Sequence, residues 1–137
     1  MSYIKSLLII SIIITTGIHG RLIEVASEDV FNSLMADNHR PTILKFAAHW
    51  CSACQSITAP FKEIAESNEF NDVDFYIIDI DKMPDLTKKY SIIGIPTFIF
   101  IDNKKEIKRE SGVKDPVDFK KCFSNKVTQT FSGNKKK

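Results

Sequence analysis

The sequence has little cysteine, with three residues in a chain of 137. A small domain stapled by disulfides carries about four to eight, so the cysteines are not the framework of this fold. A hydrophobic core must hold it together, and apolar residues make up 43% of the chain. The formal net charge of +2 is too small to indicate a nucleic-acid-binding protein.

Long hydrophobic runs are also missing, and the longest nearly continuous one is Leu7–Ile14. A helix that spans a bilayer needs about 20 apolar residues, so this run is too short. It follows the positive charge of Lys5 and precedes small and polar residues, which is typical of a signal peptide. We expect residues 1–20 to be a signal peptide, with cleavage after Gly17 or Gly20.

A signal peptide predicts entry into the secretory pathway or secretion, where disulfide chemistry is accessible. A vacuolar lumen or an extracellular location would be consistent with this signal. We expect no membrane-spanning segment after cleavage. The C-terminus lacks a KDEL-like signal, so retention in the endoplasmic reticulum is not expected. We expect one domain over residues 21–128 and a disordered, lysine-rich tail over residues 129–137.

The rest of the chain alternates between short apolar segments and amphipathic segments. The predicted strands cover residues 22–25, 42–47, 73–80, 97–101 and 106–110. Helices are predicted after Ser27, from the paired cysteines onward, from Pro84 and from Asp115-Pro116. This alternation predicts an α/β domain with a central parallel sheet, and the last two strands are close enough for an antiparallel hairpin.

Two cysteines in the segment HWCSAC, residues 49–54, raise the question of what these thiols do. A structural zinc site needs four ligands, and this chain offers one pair, His49 and the distant Cys122, so no metal is expected. A structural disulfide across so short a loop would add little stability. Redox chemistry fits better, because Cys51 opens a predicted helix whose unpaired N–H groups favour a thiolate. Cys51 would then attack, and Cys54 would resolve the mixed disulfide.

Three segments together resemble the thioredoxin family. They are TILKFAAHWCSACQSITAPF at residues 42–61, GIPT at residues 94–97 and SGV at residues 111–113. They are similar to that family's active-site strand and helix, its cis-proline loop and its third substrate-facing loop. The resemblance covers roughly Leu22 to Val127. It implies a thioredoxin-like fold, with a central mixed sheet of about five strands flanked by helices on both faces.

The resemblance also implies an activity, the reversible exchange of a dithiol with disulfides in protein substrates. Ile95 and a cis bond to Pro96 would lie against the cysteines and accept an extended substrate backbone. Trp50, Gly112 and Val113 would form the rim of the same groove. No cofactor is expected, because the chain shows no flavin or nicotinamide fingerprint. An external reductase or oxidant would have to supply or accept the electrons.

The sequence departs from the family where a buried acid usually lies beneath the cysteines, because Lys45 takes that position. Ile77 replaces the lysine that commonly pairs with the acid. A charged Lys45 close to the pair would favour the Cys51 thiolate, and a neutral one would serve as a base. Alternatively, its side chain extends to solvent and touches neither sulfur. The pair Ser52-Ala53 also differs from the usual Gly-Pro, and Pro60 comes one residue late.

Four further residues are given local interpretations. His49 is either a tuner of Cys51 or an exposed loop residue. Cys122 lies where the family has an apolar core residue, so it is predicted to be a buried small hydrophobe. Asp79 and Asp81 are interpreted as caps at the end of a strand.

Three functions are consistent with these features. The first is a protein disulfide oxidoreductase of the thioredoxin type. The second is an oxidase or isomerase of the protein disulfide isomerase type. The third is a non-enzymatic subunit with the same fold, which would bind extended chains for a secretory chaperone or a protein-export complex.

Overall fold

One mixed sheet organises the computed structural model, which describes residues 21–133. Its strands are β1 (Leu22–Glu24), β2 (Thr42–Ala47), β3 (Asp74–Asp79), β4 (Thr97–Asp102) and β5 (Lys105–Ser111). Their order across the sheet is β1-β3-β2-β4-β5. The first three run parallel, and β4 and β5 pair antiparallel to their neighbours. The predicted sheet of about five strands with a terminal hairpin is therefore confirmed.

Within residues 21–133, four α-helices and one short 3-10 turn lie between strands, and a fifth α-helix follows β5. They are α1 (Glu28–Ala36), α2 (Ser52–Ser56), α3 (Thr58–Ala65), the 3-10 turn Asn68–Phe70, α4 (Pro84–Lys89) and α5 (Phe119–Ser132). The Ser27 hydroxyl caps α1 by accepting a hydrogen bond from the Val30 N–H at 3.3 Å. Pro84 occupies the first turn of α4, where its missing N–H has no intrahelical partner to lose.

The segment after the cysteines is two helices, because regular structure breaks at Ile57 between α2 and α3. The cause is Pro60, which has no N–H to donate to the carbonyl four residues earlier and whose ring collides with it. The sequence therefore sets the break close to the cysteines and leaves α2 only five residues long.

The sheet buries both of its faces. On one face, Ile43, Phe75 and Phe98 pack against residues of α3 and α5, with Phe61 at 0% exposure near the centre. On the other face, a second cluster contains residues of α1 and α4, with Leu44 among its strand members. The predicted arrangement of helices on both faces is confirmed.

The start of α5 differs from the prediction. Asp115-Pro116 was expected to cap it, but the helix begins at Phe119. The Asp115 carboxylate instead accepts a hydrogen bond from the Val117 N–H at 2.9 Å, which closes a local turn. An Asp side chain competes for backbone N–H groups in turns as well as at helix starts, so the same residue type fits both.

The end of α5 also differs, because the helix continues to Ser132. The predicted start of a disordered tail at residue 129 is therefore wrong. Val127 is 1% exposed and Phe131 is 6% exposed, so burial of these two side chains holds the polar segment in helical form. The predicted signal peptide, residues 1–20, and the last residues, 134–137, lie outside the described part of the chain. Between residues 21 and 133, no helix has the length and apolarity to cross a membrane.

β5 forms one edge of the sheet, and its side chains are mostly exposed. Charged residues dominate it and form ion pairs on its surface. Arg109 pairs with Glu106 at 2.8 Å, and Glu110 receives Lys126 at 2.9 Å and Lys108 at 3.3 Å.

Candidate active site

The two cysteines lie where the chain leaves β2 and enters α2, at the end of the sheet to which the carboxyl ends of the parallel strands point. Cys51 is the N-cap residue of α2, and its Sγ accepts a hydrogen bond from the Cys54 N–H at 3.1 Å. Cys51 and Cys54 form a disulfide. The backbone N–H that contacts Sγ of Cys51 also favours a thiolate there when the pair is reduced.

The two cysteines differ in exposure. Cys51 is 8% exposed and Cys54 is 2% exposed. They form a small cluster with Ala47 and Ala48, against which Ile95 packs. Because thiol–disulfide exchange requires direct contact with the attacked sulfur, the geometry favours Cys51 as the partner-facing sulfur and Cys54 as the internal one.

A second loop brings backbone polar groups beside the sulfurs. The predicted cis bond between Ile95 and Pro96 is present. The Ile95 carbonyl oxygen lies 3.9 Å from the Cys51 Sγ. Ile95 is half-buried and Pro96 is buried, so this loop borders the sulfurs directly.

A third loop joins the second through Gly112. Its N–H donates to the Pro96 carbonyl oxygen at 2.8 Å, and its φ is +76°. Only glycine adopts that backbone conformation without strain. Val113 follows and is half-buried. The three segments identified from the sequence therefore meet at one end of the sheet, and the assignment of substrate contact to Ile95, Pro96, Gly112 and Val113 stays a prediction.

Trp50 is the large apolar side chain next to the disulfide, and it is 61% exposed. Its indole Nε1 donates a hydrogen bond to the Asp81 carboxylate at 2.7 Å. The Asp81 N–H in turn donates to the Asp79 carboxylate at 3.0 Å. Asp79 therefore does cap the end of β3 as predicted, while Asp81 has a second role that the sequence reasoning missed. The signal was its position, since β3 and β2 are parallel neighbours and their carboxyl ends lie together.

Lys45 lies in the middle of β2 and is 2% exposed, so its side chain does not extend to solvent. Its cross-strand neighbour on β3 is Ile77, the residue expected to replace the family's lysine. The Nζ lies 4.9 Å from the centre of the Phe61 ring. Burial lowers the pKa of Lys45 from 10.5 to about 8, helped by Lys62, while Glu24 opposes the shift.

His49, the other predicted tuning residue, is exposed. Its backbone carbonyl accepts a hydrogen bond from the Gln55 side chain. Within residues 21–133, the hydrogen bonds include none from its imidazole to either sulfur, so this structure favours the loop interpretation of His49. In the same range, no cluster of three or more His, Cys, Asp or Glu could hold a metal ion.

Cys122 is a free, exposed thiol, so the prediction that it is a buried small hydrophobe is wrong. The buried side of α5 consists of Phe119, Phe123, Val127 and Phe131. Because an α-helix has 3.6 residues per turn, residues spaced four apart form a nearly straight row along one side of the helix. Position 122 lies beside that buried row.

We expect Cys122 to react with iodoacetamide in the folded, oxidised protein, because both other cysteines are held in the disulfide. Mass spectrometry should find a single adduct, at Cys122, without denaturant. A Cys122→Ser variant should give no adduct under the same conditions. Protection of the wild-type thiol until the protein is unfolded would contradict the exposed position of Cys122.

The chain is similar in sequence to proteins of one known family. The thioredoxin family model matches residues 22–125. Thioredoxin H2 from Arabidopsis thaliana is 36% identical over 84 residues, which is 61% of this chain and 61% of that protein. This chain therefore aligns with less than two thirds of that relative. Thioredoxin-2 from Saccharomyces cerevisiae is 28% identical over 104 residues, or 76% of this chain and 97% of the relative.

Solved structures give the same result. The crystal structure of Malassezia sympodialis thioredoxin superposes with a TM-score of 0.66 at 26% identity. The match covers 81% of this chain and 90% of that one. The thioredoxin from Nicotiana alata superposes with a TM-score of 0.69 at 24% identity, over 82% of this chain and 94% of the other. These similarities confirm the predicted fold class.

Proposed function

This chain belongs to the thioredoxin family, and from that membership we propose that it is an enzyme, a protein disulfide oxidoreductase acting through Cys51 and Cys54. The observation that supports the proposal most directly is the disulfide between these residues at the start of α2. It lies beside the cis Ile95–Pro96 bond, and Cys51 is the less buried of the two residues.

The reaction begins with the reduced pair. The Cys51 thiolate attacks one sulfur of a disulfide in a partner protein, forms a mixed disulfide and displaces the other partner sulfur as a thiolate. Cys54 then attacks Cys51, which forms the Cys51–Cys54 bond and releases the second partner thiolate. The partner gains two electrons and the pair loses two. An external reductase restores the dithiol, and the same steps reversed, with an external oxidant, would oxidise a partner.

The test is catalysed reduction of insulin by a small dithiol, followed by the turbidity of the released chains. Wild type should accelerate the reaction well above the rate seen with a Cys51→Ser/Cys54→Ser double variant. Equal rates would overturn the enzymatic proposal and leave the binding subunit of a chaperone or export complex. Refolding of a scrambled protein, catalysed better than insulin reduction, would instead favour the isomerase direction.

We also propose that the protein acts in the secretory pathway or outside the cell. The support is the Lys5 charge followed by the apolar run Leu7–Ile14. Residues 1–20 fused to a reporter should direct it into the secretory pathway, and N-terminal sequencing should find cleavage after Gly17 or Gly20. A cytosolic, uncleaved reporter would contradict this localisation.

The hydrogen bond between Trp50 and Asp81 should matter for partner binding, because it fixes an exposed aromatic ring beside the disulfide. We expect Asp81→Ala to raise KM for a protein substrate about three- to tenfold, the net value of one solvent-exposed hydrogen bond of about 1 kcal/mol, with kcat unchanged. Trp50→Phe, which keeps a ring and loses the N–H, should have a similar effect. The double variant should be no worse than either single one, and additive losses would show that the two residues act separately.

A further inference from the structure

Within residues 21–133, Lys45 differs from Asp74, the other buried charged residue. Asp74 is fully buried, but it pairs with Arg21 at 2.8 Å and Arg40 at 3.5 Å. The ammonium of Lys45 has no such partner, since no ion pair or hydrogen bond formed within residues 21–133 involves its Nζ. Its described neighbour is the face of the Phe61 ring. Burying an unpaired ammonium group lowers the stability of the fold. A functional role for Lys45 would explain why a lysine lies at this position.

A cavity beside Lys45 extends to Cys54, one of the paired cysteines. Lys45 and Cys54 line the same open cavity of about 200 Å³. Ala47 and Ala48 form the wall near the disulfide, and Thr58 contributes from α3. The Thr58 hydroxyl donates to the Cys54 backbone carbonyl oxygen at 2.9 Å. The lining is mostly apolar but includes Lys45, Gln55 and Asp79, and a cavity of this size with polar partners has room for water molecules.

We infer that Lys45 is the proton acceptor for the Cys54 thiol, through water in this cavity, when Cys54 resolves the mixed disulfide. The inference rests on the proposed function and deepens it. In this step, the neutral Lys45 amine takes the thiol proton, and the Cys54 thiolate attacks the Cys51 sulfur. The Cys51–Cys54 bond forms while the bond to the partner sulfur breaks. The partner leaves as a thiolate and is protonated by solvent, and Lys45 loses its proton through the same cavity.

The electrostatics of the cavity support this role. Burial lowers the pKa of Lys45 to about 8, close to the ordinary pKa of a thiol, about 8.5. Proton transfer between groups of similar pKa is nearly balanced, which is the condition for efficient acid–base catalysis. The other ionisable groups that line the cavity or act on Lys45 are Glu24, His49, Lys62, Asp79 and Lys82.

The experiment separates the two chemical steps with Ellman's reagent. Attack by Cys51 on the reagent releases a first equivalent of thionitrobenzoate, and attack by Cys54 on the resulting mixed disulfide releases a second. All variants carry Cys122→Ser, so that the exposed thiol does not contribute. Stopped-flow absorbance records both releases between about pH 6 and about pH 10.

For Lys45→Met, we expect the second release to slow roughly 100-fold at pH 8, the lower end of the range for a single acid–base group. The first release should change by no more than about twofold. The rise of the second rate with pH should also no longer follow the Lys45 pKa of about 8. Lys45→Gln should behave in the same way, which guards against a fold defect in one variant.

Lys82→Met is the matched control, because Lys82 lines the same cavity but is exposed. Its second release should stay near the wild-type rate, and a loss as large as that of Lys45→Met would overturn the inference. An unchanged second release in both Lys45 variants would also overturn it, while leaving the proposed function intact. Absence of the first release in wild type would instead contradict the proposed function.

Discussion

Serine at Cys54 is expected to convert the protein into a covalent trap, in which the mixed disulfide at Cys51 persists at least roughly 1,000-fold longer than in wild type. The reason is that Cys54 supplies the attacking sulfur from within the same helix turn, already bonded to Cys51 in the oxidised state. A serine hydroxyl is not ionised near neutral pH and does not attack a disulfide, so the complex must wait for an external thiol.

Non-reducing electrophoresis after acid quenching measures the trapped complex with a disulfide-bonded protein such as insulin. Cys51→Ser should form no complex, because it lacks the sulfur that faces the partner. Cys54→Ser/Cys122→Ser should trap as well as the single variant, since Cys122 lies on α5, outside the disulfide cluster. If Cys51→Ser trapped the partner and Cys54→Ser did not, the two assigned roles would be reversed.

Methionine at Lys45 is expected to stabilise the fold by about 3 kcal/mol below pH 8, because each pKa unit corresponds to about 1.4 kcal/mol. The pKa of Lys45 falls from 10.5 to about 8 on folding, so burying its ammonium opposes folding. Methionine has a similar length, needs no solvation and packs against the same Phe61 ring. The free energy of unfolding from urea titrations gives the difference between the two proteins.

The stability difference should depend on pH with a definite sign. Below about pH 8, Lys45 is charged in both states and wild type carries the full penalty. Between about pH 8 and about pH 10.5, the unfolded state binds the proton and the folded state does not. Wild type therefore gains stability as pH rises, and the advantage of Lys45→Met should disappear.

Lys82→Met, an exposed lysine on the same cavity, should differ from wild type by less than about 0.5 kcal/mol at every pH. A stability difference between Lys45→Met and wild type that stayed constant from pH 7 to pH 10 would contradict the depressed pKa of Lys45. If Lys45→Met had a lower free energy of unfolding than wild type, the buried ammonium would not destabilise the fold.

The strands were predictable because their sequences differ sharply from the segments between them. β2 has the predicted bounds, Thr42–Ala47, and each end of β3 lies one residue inside its prediction. The end of α5 was missed although Val127 and Phe131 continue the spacing of four set by Phe119 and Phe123. The polar residues between them masked that repeat, and tertiary packing on the sheet outweighs the polar composition.

The site was only partly predictable. Strand alternation places Lys45 on the same face as Ile43, as the structure confirms, but it does not say what covers that face. Whether a lysine extends to solvent or stays buried depends on α3, whose Phe61 lies over its ammonium. The contact between Trp50 and Asp81 joins residues 31 positions apart, and no local pattern specifies such a pair.

The charged edge formed by β5 bears on whether another extended chain can add to the sheet. An edge strand exposes unpaired N–H and C=O groups that invite another extended chain to add to the sheet. The proposed disulfide exchange activity would bring extended, partly unfolded chains close to this edge, where an uncharged strand would be a template for growth. The ion pairs of Glu106 with Arg109 and of Glu110 with Lys108 and Lys126 would have to be desolvated before a chain could add there. The charges of β5 thus disfavour strand addition at this edge while the site at the sulfurs stays open to a partner's chain.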